Sequence, residues 1–375
     1  MAEPAGLDAL ATPRLLLDRD RLAANIAAMG GAARNAGLPL RVHLKTVKCA
    51  EAAAMLREAG VDRFAVSTVA EASFFAGRGC ADLLYTTPVT PAKVAPLLAL
   101  GPAAMAAVES LDMARAVSDA AAALGGALPV LIELDVDGYR GGVPFPGPEF
   151  EALAAFAAAA PGLTLRGAMS YSGATYGAAD AAARAGIAAA HDAALAEAGE
   201  RLRALGLAAP LLSTGGSPGV LATPAPDGAN EFRPGVFCFW DLFQAGLGVC
   251  REQDIAISVL ATVLSVRPDR GQALIDAGAL ALSLDRSTAR QAVDWGHGRV
   301  CDVEGAPLGM LKVSGASQEH GVVTGDAAAL ARLRPGQRVR ILPNHCCLTA
   351  AAYPAYDVIS GGVLTGDTWT RVNGW

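Results

Sequence analysis

The chain has 375 residues, 53% hydrophobic, 18% charged and 5% aromatic, with a formal charge of −6, a pI near 5.4 and a mean hydropathy of +0.35. So little charge with so much apolar content excludes a disordered chain, and the length suffices for one large core or two. Much of the apolar excess is alanine, the strongest helix former. No run reaches the roughly 18–20 apolar residues of a membrane span, and no basic cluster offers a nucleic-acid surface.

In chain order, residues 1–20 lack a basic start, an apolar stretch and a small-residue cleavage site, so a cytoplasmic location is expected. A short apolar run at 15–17 comes first. From about 35 to 240, β-like runs at 40–43, 64–66, 83–85, 104–108, 130–134, 165–169, 211–213 and 231–233 alternate with Ala/Leu stretches. The helical stretches lie at 50–59, 70–76, 92–100, 112–124, 149–160 and 179–205. Eight strands with helices between them predict an α/β fold, a (β/α)8 TIM barrel, with an open doubly wound sheet as the alternative. After about Ala245 the texture turns β-branched and Gly-punctuated, at 255–266, 272–275, 309–313, 321–323, 338–342, 357–359 and 368–372. The expected division is a barrel over 22–245 and a mainly β domain formed by 1–21 and 246–375. Seven cysteines without C-x-x-C spacing argue against a disulfide framework.

Catalytic groups of such a barrel sit just past the C-terminal ends of its strands, and the chemically unusual residues fall there. Lys45 and Lys48 follow the first strand, Arg140 the fifth, Tyr171 and Ser172 the sixth, and Ser213-Thr214-Gly215-Gly216-Ser217 the seventh. The two glycines let backbone amides approach an anion, although the same segment also reads as a plain turn. A phosphate cradle, a lysine and an arginine at one mouth suit pyridoxal 5'-phosphate, with the lysine as Schiff-base partner. Tyr171 could stack on the ring or bond the phosphate.

The β region holds Pro343-Asn344-His345-Cys346-Cys347. On an extended strand His345 and Cys347 share one side, so they could converge on a zinc-like divalent ion while Cys346 faces away. Buried β core is the simpler reading of the spacing alone. Gln318-Glu319-His320-Gly321 forms a second polar cluster, and Asp276-Ala277-Gly278 with Ser283-x-Asp285-Arg286 a third. His43, two residues before Lys45, is a further candidate for substrate contact or support.

Together, Thr12-Pro13, His43-x-Lys45-Thr46-x-Lys48, Asp137-Gly138-x-Arg140-x-Gly142-Val143 and Glu231-x-Arg233-Pro234-Gly235-Val236 form a composite pattern. Phe239-x-Asp241, Gln318 to Gly321, Pro343-Asn344-His345-x-Cys347 and the closing Gly374-Trp375 complete it. This pattern resembles the fold type III pyridoxal phosphate enzymes, in the D-serine dehydratase and D-threonine aldolase branch related to alanine racemase. The resemblance implies Lys45 as Schiff-base lysine, Arg140 at the pyridine nitrogen, Thr214 to Ser217 near the phosphate, and a divalent metal (Zn, Mn, Mg or Co) on His345 and Cys347. It implies D-β-hydroxy-α-amino acid substrates and a homodimer.

Aldolases of this branch carry Asp at the second metal position and a histidine after strand six. His345-x-Cys347 instead resembles the dehydratases of D-serine and D-threo-3-hydroxyaspartate, and Tyr171-Ser172 lacks the aldolase histidine, although the dehydratases also often carry His or Cys where Ser172 stands. Elimination of water is therefore expected, with aldol cleavage the alternative and amino-acid racemisation a more remote one.

Overall fold

The computed structural model describes residues 6–102 and 104–375; residues 1–5 of the N-terminal segment read above lie outside them. The chain divides into two compact units, Met1–Ile26 with Cys238–Arg371, and Ala27–Phe237 with Val372–Trp375. β1 (Arg14–Asp18) and α1 (Arg19–Ala36) open the chain.

The second unit carries β2 (Arg41–His43), α2 (Ala50–Glu58), β3 (Arg63–Val66), α3 (Val69–Ala76), β4 (Asp82–Pro88), α4 (Val94–Leu98), β5 (Ala104–Val108) and α5 (Leu111–Ala123). β6 (Leu128–Asp135), β7 (Val143–Pro144), α6 (Pro148–Ala159), β8 (Leu163–Tyr171), α7 (Ala181–Ala204), β9 (Leu211–Gly215), α8 (Ser217–Ala222) and β10 (Glu231–Arg233) complete it. β2, β3, β4, β5, β6, β8, β9 and β10 pair in that order, all parallel, with β7 attached to β6. A parallel bridge between Leu40 and Phe232 joins the two ends, backed by Phe232 N–H to Pro39 O at 3.0 Å and His43 N–H to Pro234 O at 2.8 Å. Closure selects the barrel over the open sheet, and its eight strands are those expected from the sequence.

A parallel strand covered on both faces reads as an apolar run, as in β5, where all five residues are buried, whereas β2 and β10 carry paired buried charges. Side-chain caps start the helices: Thr68 accepts from Glu71 N–H for α3, Ser110 from Met113 N–H for α5, and Asp180 from Ala183 N–H for α7. Ala65, Leu84, Met105, Ala107, Leu131 and Met169 form one apolar cluster. Strand side chains alternate with period 2, so the same-face residues one pleat further on are Ser67, Thr86, Glu109, Glu133 and Tyr171. These stand at the C-terminal mouth of the barrel. At the other end, Arg41 donates to Glu231 at 2.8 Å and Asp82 at 2.6 Å, and Ser213 Oγ–H donates to Glu231 at 2.8 Å. The buried charges there are thus paired.

The first unit holds β1 and then α9 (Leu242–Gly246), β11 (Ile257–Arg267), β12 (Gln272–Ile275), α10 (Ala279–Leu282), β13 (Arg299–Cys301) and β14 (Pro307–Ala316). β15 (Gly321–Thr324), α11 (Ala327–Leu330), β16 (Arg338–Leu342), α12 (Cys346–Ala351), β17 (Ala355–Ser360) and β18 (Val363–Thr370) follow. The strand order is β12-β15-β14-β13-β16-β11-β1-β17-β18, and β12 also pairs with β11, closing six strands into a ring. All pairings are antiparallel except β1 with β17. No helix among the described residues is long and apolar enough to cross a membrane.

Candidate active site

The two lysines after β2 separate cleanly. Lys48 has a left-handed backbone (φ 48°) and its ammonium pairs with buried Glu71 at 2.6 Å, while the second oxygen of Glu71 accepts from Ser67 N–H. Lys45 instead lines a cavity of about 290 Å³ with Ser67, Thr86, Glu109, Glu133 and Arg140. Beneath it, buried His43 accepts from Lys45 N–H at Nδ1 (3.4 Å), which leaves Nε2–H to donate to Thr86 Oγ1 at 3.0 Å. The Thr86 hydroxyl passes the chain on to Val66 O. Burial, and then the charges of Lys45, Arg233, Arg140 and Lys48, hold the imidazole well below its usual pKa. His43 is therefore a neutral support for the Lys45 backbone.

Arg140 donates to Glu133 at 3.0 Å, and its guanidinium carbon lies 4.6 Å from the Tyr171 ring centre. Burial pushes the Glu133 carboxyl up despite the opposing charges of Arg140 and Arg233, and burial raises the Tyr171 phenol likewise. The loop carrying Arg140 is stapled by Asp137, which accepts from Tyr139 N–H and Ala174 N–H and pairs with buried His191 at 3.0 Å.

Ser213-Thr214-Gly215-Gly216-Ser217 is the end of β9, a one-residue turn and the start of α8. Gly216 has φ 97°, and a Cβ there would come 3.5 Å from the Tyr171 ring, so the turn presents bare backbone beside that ring. Ser217 Oγ accepts from the amides of Gly235 and Phe237, both at 3.3 Å, which leaves its hydroxyl hydrogen to donate. The first-turn amides of α8 lack intrahelical acceptors. Ser172 is spent structurally, donating to Gly215 O at 3.0 Å.

Arg233 is a residue of this mouth that sequence reading left unassigned. It is buried, donates to Ser170 O at 2.8 Å and Ser213 Oγ at 3.3 Å, and sits directly under Gly215. The signal was present: an arginine two residues after Glu231 on a covered strand shares its interior face. Together, a lysine in a cavity, bare amides, hydroxyls and several cations fit the aldehyde, ring and phosphate of pyridoxal phosphate.

In the first unit, His345 and Cys347 do come together, but not on a strand. Cys346 begins helix α12, His345 is its N-cap residue, and the imidazole hydrogen-bonds the Cys347 thiol. The extended geometry expected for this segment is thus corrected to a helical first turn. Burial lowers the imidazole, but Cys347, Asp241 and Asp285 outweigh it and hold it at about 9. Buried Asp241, raised to about 6 by burial, accepts from Gln244 N–H and Cys346 N–H. Imidazole, thiol and nearby carboxylates fit a divalent cation. No group of three or more His, Cys, Asp or Glu side chains converges as a metal site among the described residues, so two ligands leave positions open.

The remaining candidates do not join this pair. Gln318, Glu319 and His320 are exposed on the β14–β15 turn, whose carbonyls accept from Ala279 and Leu280 N–H. Asp276 is bound to Thr12 and to Thr262 N–H. Asp285 contributes through its charge on His345 and through its carbonyl, which accepts from Asn344.

The alanine racemase N-terminal domain family matches residues 17–242, and the putative serine dehydratase domain matches 256–359. The chain is 39% identical over 374 residues to the D-threo-3-hydroxyaspartate dehydratase of Delftia sp. (strain HT23), covering 98% of each. It is 29% identical to the 3-hydroxy-D-aspartate aldolase of Paracoccus denitrificans (strain Pd 1222), over 94% of this chain and 89% of that one. A solved D-threo-3-hydroxyaspartate dehydratase, a cysteine-to-alanine variant in the metal-free form, superposes with a TM-score of 0.94 at 38% identity, covering 99% of this chain and 100% of that one. With both of its domains and its whole length so matched, the chain is an enzyme of the alanine-racemase-like D-serine dehydratase and D-threonine aldolase family.

Proposed function

We propose that this enzyme eliminates water from a D-β-hydroxy-α-amino acid of the D-serine or D-threo-3-hydroxyaspartate type, giving a 2-oxo acid and ammonia. The observation that carries the reading is Lys45, set in a barrel-mouth cavity with Arg140 while Lys48 is committed to Glu71. Lys45 would hold pyridoxal 5'-phosphate, Thr214 to Ser217 its phosphate, and His345 with Cys347 a divalent ion. Bound there, the cofactor supplies an electron sink that acidifies Cα–H and the metal a Lewis acid for the β-oxygen. Arg140 or Arg233 would face the ring nitrogen, and the other an anionic oxygen. Tyr171 would flank the ring.

Lys45 takes the α-proton, and the β-hydroxyl departs with the Cβ–O electron pair and a proton as water. The enamine left behind tautomerises and hydrolyses, consuming that water and releasing ammonia. Aldol cleavage would instead need a base for the β-hydroxyl. The barrel's two histidines are unsuited to it: His43 bonds Thr86 beneath Lys45, and His191 is buried against Asp137. This supports dehydration. The resemblance adds a homodimer to the proposal.

The test is turnover of D-serine, D-threonine and D-3-hydroxyaspartate, assayed separately for ammonia and for glycine, before and after chelation and zinc return. Ammonia with 2-oxo acid, lost with the metal and regained, is expected. Glycine would make the enzyme an aldolase, loss of optical rotation alone a racemase, and full activity after stripping would reject the metal.

A further inference from the structure

We propose that Asp241 is the positioning residue of the His345–Cys347 motif, its one carboxylate tying the first turns of two helices together and fixing the backbone between His345 and Cys347. The inference rests on the metal reading above and concerns how the chain builds the ligand pair. Asp241 is buried, and one oxygen accepts from Gln244 N–H at 2.9 Å, capping α9, of which it is the N-cap residue. The other accepts from Cys346 N–H at 3.1 Å, the first residue of α12. An N-cap side chain ordinarily satisfies the first-turn amides of its own helix. His345 holds that place on α12 and makes no such bond. A carboxylate 105 residues earlier in the chain takes the first amide of the helix, Cys346 N–H, and the imidazole turns to Cys347.

The rest of the segment is fixed in the same way. Leu242 N–H donates to Pro343 O at 3.0 Å and Phe243 N–H to Asn344 O at 3.2 Å, so 241–244 runs along 343–346. On the other side, buried Asn344 donates to Asp285 O and Gly296 O and accepts from the Thr288 hydroxyl. Every one of these bonds fixes backbone or a neighbour of His345, and none uses the imidazole or the Cys347 thiol. Asp241 is not itself grouped with them as a ligand, since no three-member set converges among the described residues. Partners that orient a metal's ligands matter to affinity nearly as the ligands do.

The experiment measures Zn²⁺ affinity by competition with a chromophoric chelator, together with thermal stability and the Co²⁺–thiolate absorption. The proteins are wild type, Asp241→Asn, Asp241→Glu, Cys347→Ser and Asp326→Ala. Asp326 caps α11 through Ala328 and Ala329 N–H, so its loss removes a cap of the same kind away from the motif. Asp241→Asn, which can accept with only one side-chain atom, is expected to weaken Zn²⁺ about 10–100-fold. It should keep the Co²⁺–thiolate band at saturating metal, because Cys347 remains. Asp241→Glu, with both acceptors, should recover part of the affinity, and Asp326→Ala should lower the melting temperature without touching Zn²⁺. A folded Asp241→Asn with wild-type affinity overturns the proposal, as does an equal loss in Asp326→Ala. Wild type that takes up no Zn²⁺, or Cys347→Ser that binds as tightly, overturns the metal reading and this inference with it.

Discussion

Replacing Glu133 by Gln separates what this carboxylate does for the site from what it costs the fold. Glu133 stands inside the barrel with its side chain 3% exposed and holds Arg140, itself 53% exposed, at 3.0 Å. Its pKa is raised by burial, a rise that Arg140 and Arg233 reduce and Glu109 adds to. A carboxyl whose folded pKa lies above the unfolded value of about 4.3 binds its proton more tightly when folded. Its contribution to stability is therefore complete below that value and is lost as pH rises through the folded one. Gln cannot titrate and escapes that loss. Against this, the charged hydrogen bond to Arg140 becomes a neutral one, worth about 1 kcal/mol, and water takes over part of the exposed guanidinium. At pH 8 the variant should thus melt within the equivalent of about 1 kcal/mol of wild type, and the difference should move in its favour between pH 4 and pH 8. Activity should not be spared. With Arg140 held by a neutral instead of a charged bond, kcat/KM should fall about tenfold, the 1.4 kcal/mol of roughly one well-aimed charged contact. Melting curves at pH 4, 6 and 8 with steady-state kinetics check both halves. A difference that moves towards wild type with rising pH, or an unchanged kcat/KM, refutes the reasoning.

Two further outcomes follow from the barrel mouth. After incubation with pyridoxal phosphate and borohydride reduction, the wild-type peptide containing Lys45 should gain the cofactor's mass. Lys45→Ala should gain none and turn nothing over, and labelling at wild-type stoichiometry would sink the assignment. Gly215→Ala places a methyl group 2.7 Å from Arg233 Nη1 and 3.0 Å from its Cζ. Restoring contact distance needs a shift of about 0.7 Å in a buried side chain held by two bonds, an overpacking cost of about 1–3 kcal/mol. A variant that melts like wild type would show that Arg233 is not held where it is described.

The barrel strands were legible because parallel strands buried on both faces read as short apolar runs, and helix caps such as Thr68 and Asp180 mark where the intervening turns end. What escaped depended on contacts distant in sequence. Lys45 and Lys48 look alike until the fold brings Glu71 to one of them. The three residues of β13 are too few to show a period. Pro343 to Cys347 follows a true strand and was extended by analogy, but the cap that turns it helical is Asp241, invisible to any local window. Arg233 lies within a quoted motif, yet only the closed barrel puts it under Gly215.

The barrel's interior sorts its charges by depth, and this bears on what it can hold. At one end Arg41 and Arg63 meet Glu231 and Asp82, a set that balances. The apolar cluster of Ala65, Leu84, Met105, Ala107, Leu131 and Met169 comes next, and it sets a low-polarizability layer beside the mouth. At the mouth Lys45, Lys48, Arg140 and Arg233 stand among Glu71, Glu109, Glu133, Asp135 and Asp137, with Lys48 paired to Glu71 and Arg140 to Glu133. Burial raises Glu133 towards its neutral form, which shifts that balance towards the cations. Arg233 and Lys45 thus share this end with the bare Gly215-Gly216 turn and the Ser217 hydroxyl. A neutral ligand would leave those donors unanswered. A phosphate ester and a carboxylate would answer them, which accords with the cofactor and amino acid proposed above.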